Sequence, residues 1–145
     1  MIPPFTLDGR LPPGIHHAEW SEFAARFGST ARRKVLLTGL RAALGALAAA
    51  GGSIVYVDGS FVTDKPNPGD WDGCWEEEGV DLDRLEPVFL DLRSGRAAQK
   101  ARFLGEMFLA HAEAAGEGTY MVDFFQKDRD GVVKGIVALD VRRLG

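Results

Sequence analysis

The chain has 145 residues, 46% apolar and 26% charged, proportions that suit one globular domain with a modest core. Its net charge of −4 argues against a broad nucleic-acid footprint, which needs a basic excess. The single cysteine, Cys74, excludes an intrachain disulfide and fits a reducing compartment. No charged-then-apolar leader opens the sequence. The most apolar stretch, residues 36–54, is Ala-rich and interrupted by Arg41 and several glycines. It reads as a packed helix, so a cytoplasmic location away from membranes is expected.

Residues 1–17 hold four of the seven prolines, which stop both helix and central strand. This segment is expected to be an extended arm on the surface, pinned by Ile2, Phe5, Leu11 and Ile15, with residues 18–145 forming one domain. Trp20, Phe23, Ala24 and Phe27 share a helical face in a short helix over 19–27, which Gly28 ends in a left-handed conformation. Ser29 is the expected cap of a second helix reaching Ala49, with Leu36, Leu40, Leu44 and Leu47 on its apolar side. The basic residues Arg26, Arg32, Arg33, Lys34 and Arg41 read as the solvated face of these helices.

Gly51-Gly52 stops the second helix, and the β-branched run 53–58 is a buried strand. Residues 65–69 form a loop, 70–75 the next strand, and Glu76, Glu77 and Glu78 its solvated end. A short helix or turn is expected within 81–92 and helix over 96–101. Residues 102–110 fit either helix or strand, because Gly105 weakens the helical alternative. Residues 119–126 and 132–141 are predicted as a hairpin about the turn 127–131.

The chemistry concentrates between Gly59 and Asp72. Gly59-Ser60 follows a strand, and nine residues later comes Asp70-Trp71-Asp72. Alternate residues of a strand point to one side, so Asp70 and Asp72 present two carboxylates together and Trp71 points away. Adjacent like charges repel unless a cation lies between them, and hard oxygen ligands suit Mg²⁺ or Mn²⁺. Gly59 lets backbone approach a phosphate, the Ser60 hydroxyl can hold it, and Lys65 is within chain reach of a triphosphate. His16, His17 and His111 show no metal-ligand spacing. Neither a G-x-S-x-G elbow nor a G-x-x-x-x-G-K-[ST] loop occurs.

The pattern GS-x9-D-x-D resembles the signature of the DNA polymerase β-like nucleotidyltransferase superfamily. The longer runs GSFVTDKPNPGDWDGCW, RAAQKARFLGEMF and VDFFQKDRDGVVKGIVALD resemble a bacterial family of small nucleotidyltransferase-like proteins. The resemblance implies an α+β fold, a palm-like mixed sheet with the N-terminal helices packed on it. It also implies transfer of a nucleoside monophosphate from a triphosphate to a protein or RNA hydroxyl, in a toxin–antitoxin or defence module. Asp70, Asp72 and a third acid would ligate metal, with Gly59, Ser60 and Lys65 on the nucleotide. Glu106 in FLGEMF is the favoured third acid and Asp123 in MVDFF its rival. The alternative is an inactive protein of the same fold that binds a partner protein or forms a homodimer. Gly73-Cys74-Trp75 after Asp72 departs from the apolar strand common in the superfamily, and Gly73 there signals a bulge or a close approach.

Overall fold

The computed structural model describes residues 1–114, 118–128 and 130–144, which leaves Arg129 of the expected 127–131 turn outside the described residues. Two helices follow the N-terminal arm, as their apolar periodicity requires. Helix α1 (Trp20–Phe27) buries Phe23 and Phe27. Gly28 ends it at φ −97°, so a left-handed conformation is not the reason for the glycine. A Cβ there would come within 2.6 Å of the Ala24 carbonyl oxygen and 2.9 Å of a Leu37 methyl. Helix α2 (Ala31–Ala49) is capped by Thr30 rather than Ser29; the Thr30 hydroxyl accepts the Arg33 N–H at 3.2 Å.

Five strands form a mixed sheet in the order β1-β7-β2-β3-β4. They are β1 (Ile15–Ala18), β2 (Ile54–Asp58), β3 (Trp71–Trp75), β4 (Gly105–Leu109) and β7 (Ile136–Asp140). Strand β1 runs parallel to β7, β2 is antiparallel to both β7 and β3, and β3 is parallel to β4. The period of two then sorts the side chains. Val55, Val57, Trp71, Trp75, Met107, Val137 and Leu139 join Phe23, Leu36, Leu40 and Leu44 in the main core. Cys74 and Ile136 belong to a second, smaller cluster with Ala110 and Val122, against which Tyr56, Phe108, Met121 and Phe125 pack. The fold is therefore α+β with a mixed sheet and the N-terminal helices on one face. No helix among the described residues is long and apolar enough to cross a membrane.

Several boundaries differ from the sequence expectation. The N-terminal arm is not wholly outside the sheet, because residues 15–18 supply its edge strand β1. Ile2 and Leu11 are buried as anchors and Phe5 is partly covered, but Ile15 is exposed, since the alternation of β1 turns it outward. The ambiguous stretch resolves into both alternatives. Helix α3 (Arg93–Phe103) ends at Leu104, which takes the left-handed conformation at φ 63°, and β4 starts at Gly105. A Cβ on Gly105 would overlap the Trp71 indole, so the glycine is there for close approach.

The expected C-terminal hairpin is reduced to one antiparallel bridge between Lys127 and Val133. Of the expected first arm only Thr119–Tyr120 is strand (β6), pairing with β5 (Glu113–Ala114), while the second arm supplies β7, which pairs with β1 and β2 instead. Residues Met121–Phe124 form a short helix, α4, because Val122 turns in to cover the small cluster.

Arg33 is the largest departure. It is not on a solvated face but 2% exposed. All five of its N–H donors meet backbone carbonyls of the segment that precedes β3 or of the end of α1. Nε donates to Lys65 at 3.0 Å, Nη1 to Phe27 at 3.2 Å and Phe61 at 2.7 Å, and Nη2 to Thr63 at 2.8 Å and Lys65 at 2.7 Å. The Phe61 ring lies 4.9 Å from the guanidinium carbon. Nearby, Thr30 donates to the Pro66 carbonyl at 2.9 Å and Arg32 to those of Pro68 and Gly69. The first turn of α2 thus holds the whole loop between Ser60 and Asp70.

Lysine keeps the charge at position 33 but has three donors in no fixed fork, so it leaves buried carbonyls unpaired. Arg33→Lys is expected to cost about 2–4 kcal/mol in urea unfolding with an unchanged m value. A cost below about 1 kcal/mol would mean that the loop holds itself without the guanidinium.

Candidate functional site

The site begins where β2 runs out. Asp58 is its last residue, and Gly59 follows at φ +73°, a conformation that glycine adopts without strain, opening a 3-10 turn over Gly59–Val62. A Cβ at Gly59 would sit 2.6 Å from Asp72 Oδ2, so the absent side chain makes the room that the Asp72 carboxylate occupies. The Ser60 carbonyl accepts from the Thr63 N–H at 3.3 Å and hydroxyl at 2.6 Å, while the Ser60 hydroxyl has no hydrogen bond among the described residues. Lys65 is exposed in the loop; its fixed feature is its carbonyl, held by Arg33.

Register then brings the acids together. Asp72 is the Cα partner of Asp58 across the antiparallel pair and of Glu106 across the parallel pair. The next row on the same face is Tyr56, Cys74 and Phe108, in the same strand order. Three strands therefore present a row of three carboxylates beside a row of largely apolar groups. Asp70 precedes β3 rather than opening it, close enough that its charge acts on Asp72. Trp71 points the other way, buried, with its indole N–H donating to the Phe103 carbonyl at 2.8 Å.

Glu106 is thus where the sequence reading placed the third acid, on a strand and beside Asp72. Its rival Asp123 lies elsewhere, exposed on α4, where its carboxylate accepts from Gln126. Asp58 escaped the sequence reading altogether. Its position as the last residue of a strand, directly before Gly-Ser, was the available signal, and an aspartate there reads as an ordinary strand end.

The electrostatics follow from crowding. Burial, then the charges of Asp70 and Glu106, push the Asp72 carboxyl up to about 7. Burial and then the Asp72 charge push Asp58 well above the usual carboxylate range. Asp58 is fully buried, its Oδ1 has no hydrogen-bond partner among the described residues, and its Oδ2 lies 3.9 Å from the Cys74 sulfur. Two cations act against this rise: the Lys100 ammonium, 3.8 Å from Glu106 Oε2, on Asp72, and Lys134 on Asp58. The orphaned buried oxygen of Asp58 and the crowded acids beside it offer hard oxygen donors of the kind that Mg²⁺ or Mn²⁺ takes.

A second cluster lies at the opposite ends of β3 and β4. His111 Nδ1 is 3.2 Å from Glu76 Oε2 and 3.0 Å from Glu77 Oε2, and Tyr56 donates to Glu76 at 2.6 Å. Glu76 and Glu77 are therefore not merely a solvated strand end, and His111 does meet an acidic pair that its spacing concealed. These are the three side chains among the described residues whose ligand atoms all lie within 4.8 Å of one another; Asp70, Asp72 and Glu106 are not drawn that close. Hydrogen bonding to Glu77 raises the His111 pKa, which favours the charged imidazolium beside the two carboxylates at the surface. Two cavities, of about 300 and 790 Å³, lie beside Met1 and Glu22 and beside Pro87 and Leu92, both away from the acid row.

Residues 3–140 match the family of unknown function DUF6932, and the chain belongs to that family. No curated protein and no solved structure matches the chain.

The elevated Asp72 pKa has a stability consequence. The folded carboxyl keeps its proton up to about pH 7, whereas the unfolded one loses it near pH 4, so the folded state binds more protons in between. Stability from this group is present below about pH 4 and is lost as pH rises through about 7. In EDTA, Asp72→Asn should melt a few degrees above wild type at pH 8, on the order of 2 kcal/mol, and equal to it at pH 4. Coincident melting curves at pH 8 would remove the charge crowding from the account.

Proposed function

We propose that this chain is a metal-dependent nucleotidyltransferase, moving a nucleoside monophosphate from a nucleoside triphosphate to a protein or RNA hydroxyl. The observation that carries it is the register of β3 and β4, which sets Asp72 beside Glu106 with Asp70 adjacent and Gly59 open beside the Asp72 carboxylate. Those carboxylates would hold Mg²⁺ or Mn²⁺, which when bound supplies Lewis-acid stabilisation of the attacking and leaving oxygens. The Ser60 hydroxyl and the turn Gly59–Val62 hold phosphate oxygens at the end of β2.

In the reaction the acceptor oxygen forms a bond to the α-phosphorus. The bond from that phosphorus to the bridging oxygen breaks, and pyrophosphate leaves with its electron pair. The acceptor's proton passes to a carboxylate of the row. The narrower assignment to a polymerase β-type palm, and to a toxin–antitoxin or defence module, belongs to the same proposal and rests on the sequence resemblance.

A second reading is a non-catalytic binding module with the same sheet, acting on a partner protein or a second copy. One observation favours it: the oxygens of Asp70, Asp72 and Glu106 are not gathered within 4.8 Å of one another. Calorimetric titration of ATP, GTP, CTP and UTP with Mg²⁺ or Mn²⁺ separates the two. The transferase reading expects one triphosphate to bind only with metal, and to bind at least tenfold more weakly to Asp70→Ala/Asp72→Ala and to Glu106→Gln. A folded wild-type protein that binds none of the four with either metal overturns it in favour of the binding module.

A further inference from the structure

The acid row has a basic neighbour on the same face of the sheet. Phe108 follows Glu106 by two residues on β4, so both side chains project to one side. The Arg96 guanidinium lies over the Phe108 ring, its central carbon 3.9 Å from the ring centre. Among the described residues Arg96 forms no ion pair, and its buried Nε has no hydrogen-bond partner. Lys100, on the same helix, reaches Glu106. A guanidinium stacked by its face on an aromatic ring keeps its donor edge for another partner, and nothing among the described residues takes it.

The backbone that carries Arg96 is itself unusual. Ser94, Gly95 and Arg96 take left-handed conformations in succession, at φ 51°, 63° and 62°. Only glycine adopts that region without strain, so the fold tolerates two disfavoured residues to set Arg96 over Phe108.

We infer that Arg96 and Lys100 form an anion subsite beside the acid row, which takes the polyphosphate of a nucleoside triphosphate. The inference deepens the nucleotidyltransferase reading and rests on it. It moves the triphosphate tail from Lys65, whose side chain stands exposed on the loop, to two cations placed against β4. The planar guanidinium fork matches pairs of phosphate oxygens, and the ammonium supplies a point charge. Together they place positive charge on the flank of the carboxylates, where the departing pyrophosphate carries its negative charge.

The test is calorimetric titration of inorganic tripolyphosphate and of the four nucleoside triphosphates, with and without Mg²⁺, into wild type, Arg96→Gly, Lys100→Gln and Asp70→Ala/Asp72→Ala. Glycine at 96 keeps the left-handed backbone without strain, so Arg96→Gly should stay folded by circular dichroism. Arg84→Gln, at an exposed arginine outside the strands that carry the row, serves as a control for loss of one charge. The expected result is that both ligands bind wild type, that Arg96→Gly and Lys100→Gln each weaken them tenfold or more, and that Arg84→Gln changes them less than twofold. Wild-type affinity for nucleotide in folded Arg96→Gly and Lys100→Gln overturns the inference and leaves the transferase reading standing. Tripolyphosphate binding that needs Arg96 and Lys100 but neither metal nor the aspartates keeps the subsite and overturns the transferase reading. A folded wild type that binds neither ligand overturns both.

Discussion

The arrangement depends first on one buried cation. Arg33 spends its five donors on backbone carbonyls of the site loop and the end of α1, and among the described residues no carboxylate shares its charge at hydrogen-bond distance. Burial lowers its pKa, and the carbonyl dipoles around it supply the compensation that water would otherwise give. A loop rich in proline and glycine has few backbone hydrogen bonds of its own, so its course from Ser60 to Asp70 is set from outside by Thr30, Arg32 and Arg33. The start of α2 thereby fixes where β3 begins, and with it the register that places Asp72 between Asp58 and Glu106.

That register has an energetic cost. Packing carboxylates across three adjacent strands opposes folding at neutral pH, because desolvation and mutual repulsion act in the same direction. Lys100 offsets only part of it, at Glu106. A fold selected for stability alone would place apolar or neutral side chains there, as the neighbouring row of Tyr56, Cys74 and Phe108 does. Strained positions cluster around the same region: the left-handed run 94–96 and Leu104 both lie on the connection between β3 and β4. Crowded charge and backbone strain in one place are what a ligand site looks like before its ligand is considered.

The two ends of the β3–β4 pair solve opposite problems. At the start of the strands the acids face one another, and the nearby charges of Lys100 and Lys134 compensate them only in part. At their ends Glu76 and Glu77 are bridged by His111 and a tyrosine hydroxyl, and the charges are satisfied by the protein itself. The contrast explains why the functional proposal rests on the acid row and not on the tighter cluster.

The residue pattern alone determined the two N-terminal helices, strands close to 53–58 and 70–75, the orientation of Trp71 away from Asp72 and the candidacy of Asp72, each from a local period or spacing, while the candidacy of Glu106 came from the family resemblance. It could not determine that residues 15–18 pair with β7, that Arg33 is buried, that Asp58 joins the row, or that Arg96 lies over Phe108. Those depend on partners from 12 to 121 residues distant, and a basic residue near a helix start or an aspartate at a strand end looks the same whether its partner is solvent or another strand. The hairpin expected over 119–141 failed for the same reason, because Val122 gains more by covering the small apolar cluster than by extending a strand. Local sequence set the elements; strand register and burial, which are properties of pairs, decided which side chains meet.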